Sequence, residues 1–300
     1  MASMTALHVF LALVCLSLVS CTAIRQSHVE ERAPSCPSVW QTVAADLKPA
    51  FNGCSRQAAF AIRFAFHDSG AFSSKTPFYA PAAGGADGSL LLSSSEINRP
   101  AEAPMQGYRQ FLLGKYQTYK NDGVSAADLV QFAGNLAIKQ CGGPTVQTVA
   151  GRKDNSQAAP DGFLPAAFGR GSDYSTLTQL FADKGFSHGD LIALIGAHTV
   201  SRSFAQRANG VPPGGAQDLT PTIWNNGFYN DTLTRTRGVF SFQSDVNLSK
   251  GPDTATLFHQ FAADQSLWDS AFTSAMFRLS VLGIPQGTVS TFVDCTAFVA

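Results

Sequence analysis

Arg63-Phe64-Ala65-Phe66-His67-Asp68 sets a guanidinium and an imidazole four residues apart. On a helix that spacing puts both on one face, with Phe66 beside them. A base next to a fixed cation, against an aromatic wall, can cleave an oxygen–oxygen bond. The imidazole takes the proton from the bound oxygen and returns it to the leaving one, while the guanidinium stabilises the charge on the departing oxygen. The same hexapeptide also suits an exposed arginine and a His-Asp pair capping a helix end. A second histidine stands in Leu194-Ile195-Gly196-Ala197-His198-Thr199. Closing an apolar helix behind two small residues, it is placed to approach a flat macrocycle, although a lone histidine there serves equally in a core or a cap. A metal-ligating histidine wants a carboxylate on its other ring nitrogen. Asp245 in Phe242-Gln243-Ser244-Asp245 is one candidate among the acids.

The elements that must position these groups are legible as helices. Apolar residues recur at helical spacing over Trp40 to Phe51 and Ser55 to His67. Met105 to Asn121 is amphipathic. Ser125 to Lys139 opens on a cap signal, Ser125 with Asp128, and Ser187 to His198 repeats it with Asp190. Tyr174 to Asp183 is shorter, and Thr254 to Leu282 is long enough to be broken in two. The connections Thr76 to Gly88, Gly142 to Gly171 and Asn209 to Gly227 are rich in Gly, Pro and Asn. No long alternating strand pattern, internal repeat or low-complexity linker occurs. The expected class is mainly α with long ordered loops, and loops of that length point to bound metal ions within them.

The chain has 300 residues, 45% of them hydrophobic and 14% charged, with a formal net charge of +0. The balance survives removal of residues 1–32, which carry Arg25 and Arg32 against Glu30 and Glu31. Without Lys/Arg runs there is no electrostatic footprint for nucleic acid or anionic lipid. The apolar run Leu7 to Val19, followed by Ser20-Cys21-Thr22-Ala23, reads as a secretory signal peptide over 1–23. Leu18-Val19-Ser20-Cys21 is also the pattern of a lipidated cysteine. Residues 24–32 read as a short pro-peptide, leaving 33–300 as the mature domain. Cys15 and Cys21 depart with the signal. Cys36, Cys54, Cys141 and Cys295 remain; an even number in a secreted chain favours two disulfides, with three pairings open. Asn230 and Asn247 head glycosylation sequons.

From Cys36 to Cys295 the sequence resembles the secreted fungal haem peroxidases, the family of lignin, manganese and versatile peroxidases. The motifs fall in the family's order: Arg63 to Asp68, Gly84-Gly85-Ala86-Asp87-Gly88-Ser89, Asp161-Gly162, His198-Thr199, Asp218-Leu219-Thr220 and Asp245. The resemblance implies a mainly α, two-lobed fold with haem b between distal and proximal lobes, reducing hydrogen peroxide and oxidising small phenolic reductants in one-electron steps through ferryl intermediates. It makes His67 the distal acid–base, Arg63 its partner, Phe66 the distal wall, His198 the axial iron ligand and Asp245 the partner of His198. It places one calcium ion at Asp68, Gly85, Asp87 and Ser89, and a second at Thr199, Asp218, Thr220, Ile223 and Asn225. It pairs Cys36 with Cys295 and Cys54 with Cys141, and it implies a secreted monomer.

Several positions depart from the family pattern. The stretch Arg99-Pro100-Ala101-Glu102 puts Glu102 where an asparagine ordinarily accepts the distal histidine's hydrogen bond. A carboxylate there either raises the basicity of His67 or stays protonated. Asn225 replaces an aspartate at the second calcium site, which removes a charge and weakens it. The three carboxylates of a manganese site fall on Arg56, Phe60 and Phe204, so none can coordinate. The exposed tryptophan of lignin-degrading members falls on Ala193, while Trp40, Trp224 and Trp268 lie elsewhere. The expectation is a generic, low-potential peroxidase that oxidises phenols at the haem edge near Pro165. The rivals are a lignin-degrading enzyme relaying electrons through another Trp or Tyr, a secreted haem-binding protein without turnover, and an intracellular relative.

Overall fold

The computed structural model describes residues 35–75 and 84–300, all within one compact unit. The signal and pro-peptide expectations, and most of the loop Thr76 to Gly88, lie outside the described residues. Helices dominate: α1 Val39–Phe51, α2 Arg56–Gly70, α3 Ser89–Leu92, α4 Gln106–Tyr119, α5 Ala126–Gln140, α6 Tyr174–Ala182, α7 His188–Ile195, α8 Gly227–Thr234, α9 Gln243–Leu248, α10 Ala255–Ala263, α11 Gln265–Ser280, α12 Gln286–Val289 and α13 Thr296–Val299. Among the described residues four two-residue strands form two antiparallel pairs: β1 Val149–Ala150 with β4 Val293–Asp294, and β2 Arg202–Ser203 with β3 Gly215–Ala216. The class is mainly α, as the periodicity predicts.

Caps fix where the site-bearing helices begin. Ser55 Oγ accepts from Ala58 N at the start of α2, and Ser125 Oγ from Asp128 N at the start of α5. Ser187 and Asp190 form a reciprocal capping box at α7, closing two of the donors a helix start leaves open. Asp264 caps α11 through Leu267 N, which is the break expected between Thr254 and Leu282. Apolar stripes then draw the helices into one core; Phe51, Phe64, Phe132, Phe258, Trp268 and Phe272 are almost completely buried. Burying side chains of this size contributes roughly 1.5–3 kcal/mol each.

Both expected disulfides form: Cys36–Cys295 and Cys54–Cys141, with Cα atoms 5.0 and 4.4 Å apart. The segment Gly142 to Gly171 is tied down by a buried ion pair of the chain itself, where the sequence suggests a metal. Arg152 Nη1 lies 2.7 Å from Asp128 Oδ1, and Arg152 Nε donates to Ser280 O at 2.8 Å. The amides of Gly151 and Arg152 donate to the same Asp128 carboxylate. Asp128, which reads as a cap residue, thus spends its side chain on the loop.

Candidate active site

The helix α7 stops at Ile195, and Gly196–Val200 continues as a tighter 3₁₀ segment carrying His198. The expected single helix to His198 is therefore shortened. Close packing is the reason. A Cβ on Gly196 would sit 2.4 Å from both Trp268 Nε1 and Tyr229 Oη, so only glycine lets this backbone lie against α11. Trp268 Nε1 donates to Ala193 O and Tyr229 Oη to Ile192 O, locking the turn that aims His198.

Across from it stands α2. A cavity of about 600 Å³ is lined by Arg63, Phe66 and His67 on one side and by His198 on the other. Its walls are mostly apolar, including Leu164, Phe181, Leu194, Phe272 and Met276, and Pro165 also lines it. Phe66 packs edge-on against the His67 ring at 5.7 Å and stacks on Phe181 at 6.3 Å.

The two histidines share one device and differ in one respect. Arg63 Nε lies 3.2 Å from His67 Nε2. A guanidinium can only donate, so Nε2 is the acceptor and the ring proton sits on Nδ1. That Nδ1–H donates to Glu102 Oε2 at 2.8 Å, and Glu102 is buried. Burial holds the His67 imidazole below its ordinary proton affinity; the Glu102 charge opposes this and Arg63 reinforces it. Arg63 is itself anchored through Nη2 to Ala101 O at 2.8 Å. His198 likewise donates from Nδ1, to Asp245 Oδ2 at 3.1 Å. Its Nε2 has no hydrogen-bond partner among the described residues and borders the cavity. Gln217 Nε2 donates to the same Asp245 oxygen at 2.8 Å, and Phe228 and Phe242 stand edge-on to the His198 ring at 5.5 and 5.3 Å. Sequence reasoning misses Gln217 and both rings; no spacing signal marks them.

The remaining expected site residues divide. Asp68 is completely buried and accepts from Gly88 N and Leu90 N, both at 3.1 Å. Burial, then the charges of Asp87 and Glu96, push its carboxyl well above the ordinary range, and burial also raises Asp87. Ser89 Oγ is buried without a hydrogen-bond partner. Gly85 has φ 110, open to glycine alone among ordinary residues. In the second group Asp218 accepts from Thr199 Oγ1 at 2.9 Å and Thr220 Oγ1 at 2.7 Å, and Asn225 donates to Thr220 Oγ1 at 2.8 Å. Ile223 is mostly exposed, its amide bonded to Thr220 O. Among the described residues no cluster of three or more His, Cys, Asp or Glu side chains is placed to hold a metal ion. Arg56, Phe60 and Phe204 come together, with the guanidinium 4.0 Å from the Phe204 centroid and 5.1 Å from that of Phe60. Ala193 is buried, as are Trp40, Trp224 and Trp268.

A helical protein with a deep apolar cavity, one imidazole presented bare and the other held beside a guanidinium, defines an enzyme of the haem-dependent oxidoreductase class. The chain belongs to the peroxidase family, whose model, described as Peroxidase, matches residues 43–264. It is 30% identical over 283 residues to a manganese peroxidase, H4, of Phanerodontia chrysosporium, covering 85% of this chain and 71% of that one. It is 27% identical to a versatile peroxidase, VPS1, of Pleurotus eryngii over 81% of this chain and 68% of that one. It is 31% identical to a peroxisomal L-ascorbate peroxidase 5 of Arabidopsis thaliana over 74% and 75%. The protein is a haem peroxidase that uses hydrogen peroxide.

The cavity fits the cofactor that the family implies. It is apolar, it is roomy, and it presents the lone pair of His198 Nε2 unengaged while Asp245 holds the other nitrogen. A carboxylate in that position makes the imidazole a stronger donor to a metal.

Proposed function

We propose that this chain is a secreted peroxidase of small phenols, with the cavity between Arg63–His67 and His198 as its active site. The observation that carries the assignment of roles is the asymmetry of the two Nε2 atoms. His67 Nε2 is covered by Arg63 and His198 Nε2 is not. His198 is the iron ligand, and bound haem supplies the redox centre at which peroxide is reduced. His67 Nε2 is the base that takes the proton from the incoming peroxide oxygen and returns it to the outgoing one. Glu102 keeps that lone pair turned into the cavity by holding the proton on Nδ1. Arg63 swings its N–H from His67 to the departing oxygen and stabilises the charge there. Phe66 walls the site, and Pro165 offers a carbonyl at the cavity edge for a phenol hydroxyl.

Two features favour phenols over harder substrates. Arg56, Phe60 and Phe204 replace any carboxylate cage for manganese, a cation that prefers oxygen ligands. All three tryptophans are buried, so none offers a bulky aromatic molecule a docking face. Tyr174, half-buried and bonded to Asp253, is one relay candidate of the rival, lignin-degrading reading.

The group Asp68, Asp87, Ser89 and Gly85 suits a calcium ion. An unpartnered buried hydroxyl beside two carboxylates that burial disfavours is a donor set a cation would satisfy. At Thr199, Asp218, Thr220, Ile223 and Asn225 the oxygens already bond one another, and one carboxylate serves the whole group. This second ion is held more weakly. Two disulfides support an oxidising compartment, in line with the apolar run Leu7 to Val19 and against the peroxisomal address of one relative. Of the two sequons, Asn230 is exposed and Asn247 half-buried, and each amide donates to a backbone carbonyl, Asn230 to Ala262 O at 3.2 Å and Asn247 to Ser172 O at 2.8 Å. Steady-state turnover of a simple phenol, veratryl alcohol and manganese(II), each with peroxide, tests the reading. The phenol is consumed rapidly and the other two stay near background. Strong veratryl alcohol turnover lost in Trp268→Phe or Tyr174→Phe would replace it with the relay reading.

A further inference from the structure

We infer that the mouth of the cavity carries a carboxylate-recognition site built on Arg56, and that the preferred reductants are phenols bearing a carboxylate. The inference rests on the phenol reading above and narrows it. Arg56 lies with its guanidinium carbon 4.0 Å from the Phe204 centroid, half of a cation–aromatic stack that leaves the planar edge of N–H donors free. Among the described residues Arg56 makes no hydrogen bond and no ion pair, and it is exposed. It is also the first residue of α2, whose first turn holds no acidic residue. A cation there opposes the helix dipole, so its position gains nothing for the helix and is offset by an anion that arrives from outside.

The wider charge pattern agrees. In a chain with net charge +0, the cavity is lined by Arg56, Arg63 and Arg202 against Asp245. Asp245 is engaged by His198 and Gln217, and Arg63 by His67 and Ala101 O. Arg202 donates from Nη1 to Gly214 O at 3.2 Å. Arg56 is the guanidinium left without a polar partner, and a cationic mouth in low-dielectric walls concentrates anions. A carboxylate accepts a guanidinium's paired N–H groups in fork geometry, while the phenol ring of the same molecule enters the apolar cavity. The reaction is that of any phenol. Two hydroxyaryl molecules each give one electron and one proton, peroxide becomes two waters, and the carboxylate is unchanged.

The test uses the haem-loaded protein with 4-hydroxycinnamate and its uncharged methyl ester. Binding is read without peroxide, from the haem difference spectrum, alongside the KM of each compound. The acid binds roughly tenfold or more tightly than the ester, and added salt shrinks the gap. In Arg56→Ala the two bind about equally, and Arg56→Lys restores part of the preference. Equal binding by the unaltered protein, or an acid preference that survives Arg56→Ala, overturns the site. Loss of the haem spectrum in Arg56→Ala overturns it too, since the guanidinium would then hold the cofactor. Oxidation of neither compound, with the binding preference intact, counts against the phenol reading while the carboxylate site stands.

Discussion

Replacing Glu102 by glutamine or alanine separates the two things a buried carboxylate does for His67. Burial is the largest influence on the His67 imidazole and lowers its proton affinity; Glu102 acts upward and Arg63 downward, and the net direction is down. The imidazole therefore stays neutral until the pH falls below the usual histidine range, and reaction with peroxide loses its base only in acid. Glu102→Gln keeps an oxygen within reach of Nδ1 but drops the charge, the larger of the two Glu102 influences that favour the protonated ring. The acid limb of the pH–rate profile moves to still lower pH. A charge-assisted hydrogen bond exceeds a neutral one by about 1 kcal/mol, about fivefold in proton affinity, and the plateau rate changes little. Glu102→Ala instead leaves a buried Nδ1–H unpaired, at about 1–3 kcal/mol. The proton then no longer has a fixed nitrogen, and the plateau falls about five- to hundredfold. Stopped-flow mixing of haem-loaded protein with peroxide, followed at the haem band across the acid and neutral range, gives limb and plateau separately. A limb unmoved in Glu102→Gln, or displaced to higher pH, refutes an ionised Glu102.

His198→Ala removes the bare imidazole from the cavity and abolishes the native haem spectrum of the purified protein; an unchanged spectrum would exclude His198 as the ligand. His67→Ala lowers the rate of reaction with peroxide by at least about 10²–10⁴-fold, since one group serves both proton transfers. Arg63→Ala costs less, and the same stopped-flow measurement ranks the two. Prolonged chelation inactivates the protein with calcium leaving in two stages, the Asp218 group emptying before the Asp68 group. Metal analysis in Asp218→Asn and Asp68→Asn shows which stage disappears, and finding no calcium at all sinks both sites.

Local rules carried the sequence reading far. Helical spacing, with the Ser125 and Ser187 caps, places α2, α5 and α7 to within a few residues, because those signals act over a single turn. The step from α-helix to 3₁₀ at Gly196 was not legible. It depends on Trp268 and Tyr229, more than thirty positions away. The Arg63–His67 pair was visible as an i, i+4 spacing, but the partner carboxylates were not: Glu102 arrives from a turn and Asp245 from the short helix α9, both far along the chain from the histidine they face, and only resemblance singled them out. Gln217 and the Asp128–Arg152 pair left no trace for the same reason. A lone polar residue shows its type in a sequence and conceals what it will face.

The bridge between Cys36 and Cys295 joins residues 259 positions apart, so nearly all of the described chain lies on one covalent ring. A protease that cuts any single peptide bond between them opens the ring without releasing a fragment. The nicked protein keeps both parts, gains only the mass of a water molecule, and migrates as an intact chain until a reductant is added. Clipped molecules in a purified sample would therefore pass undetected on a non-reducing gel, with the cavity's two walls still tethered to each other.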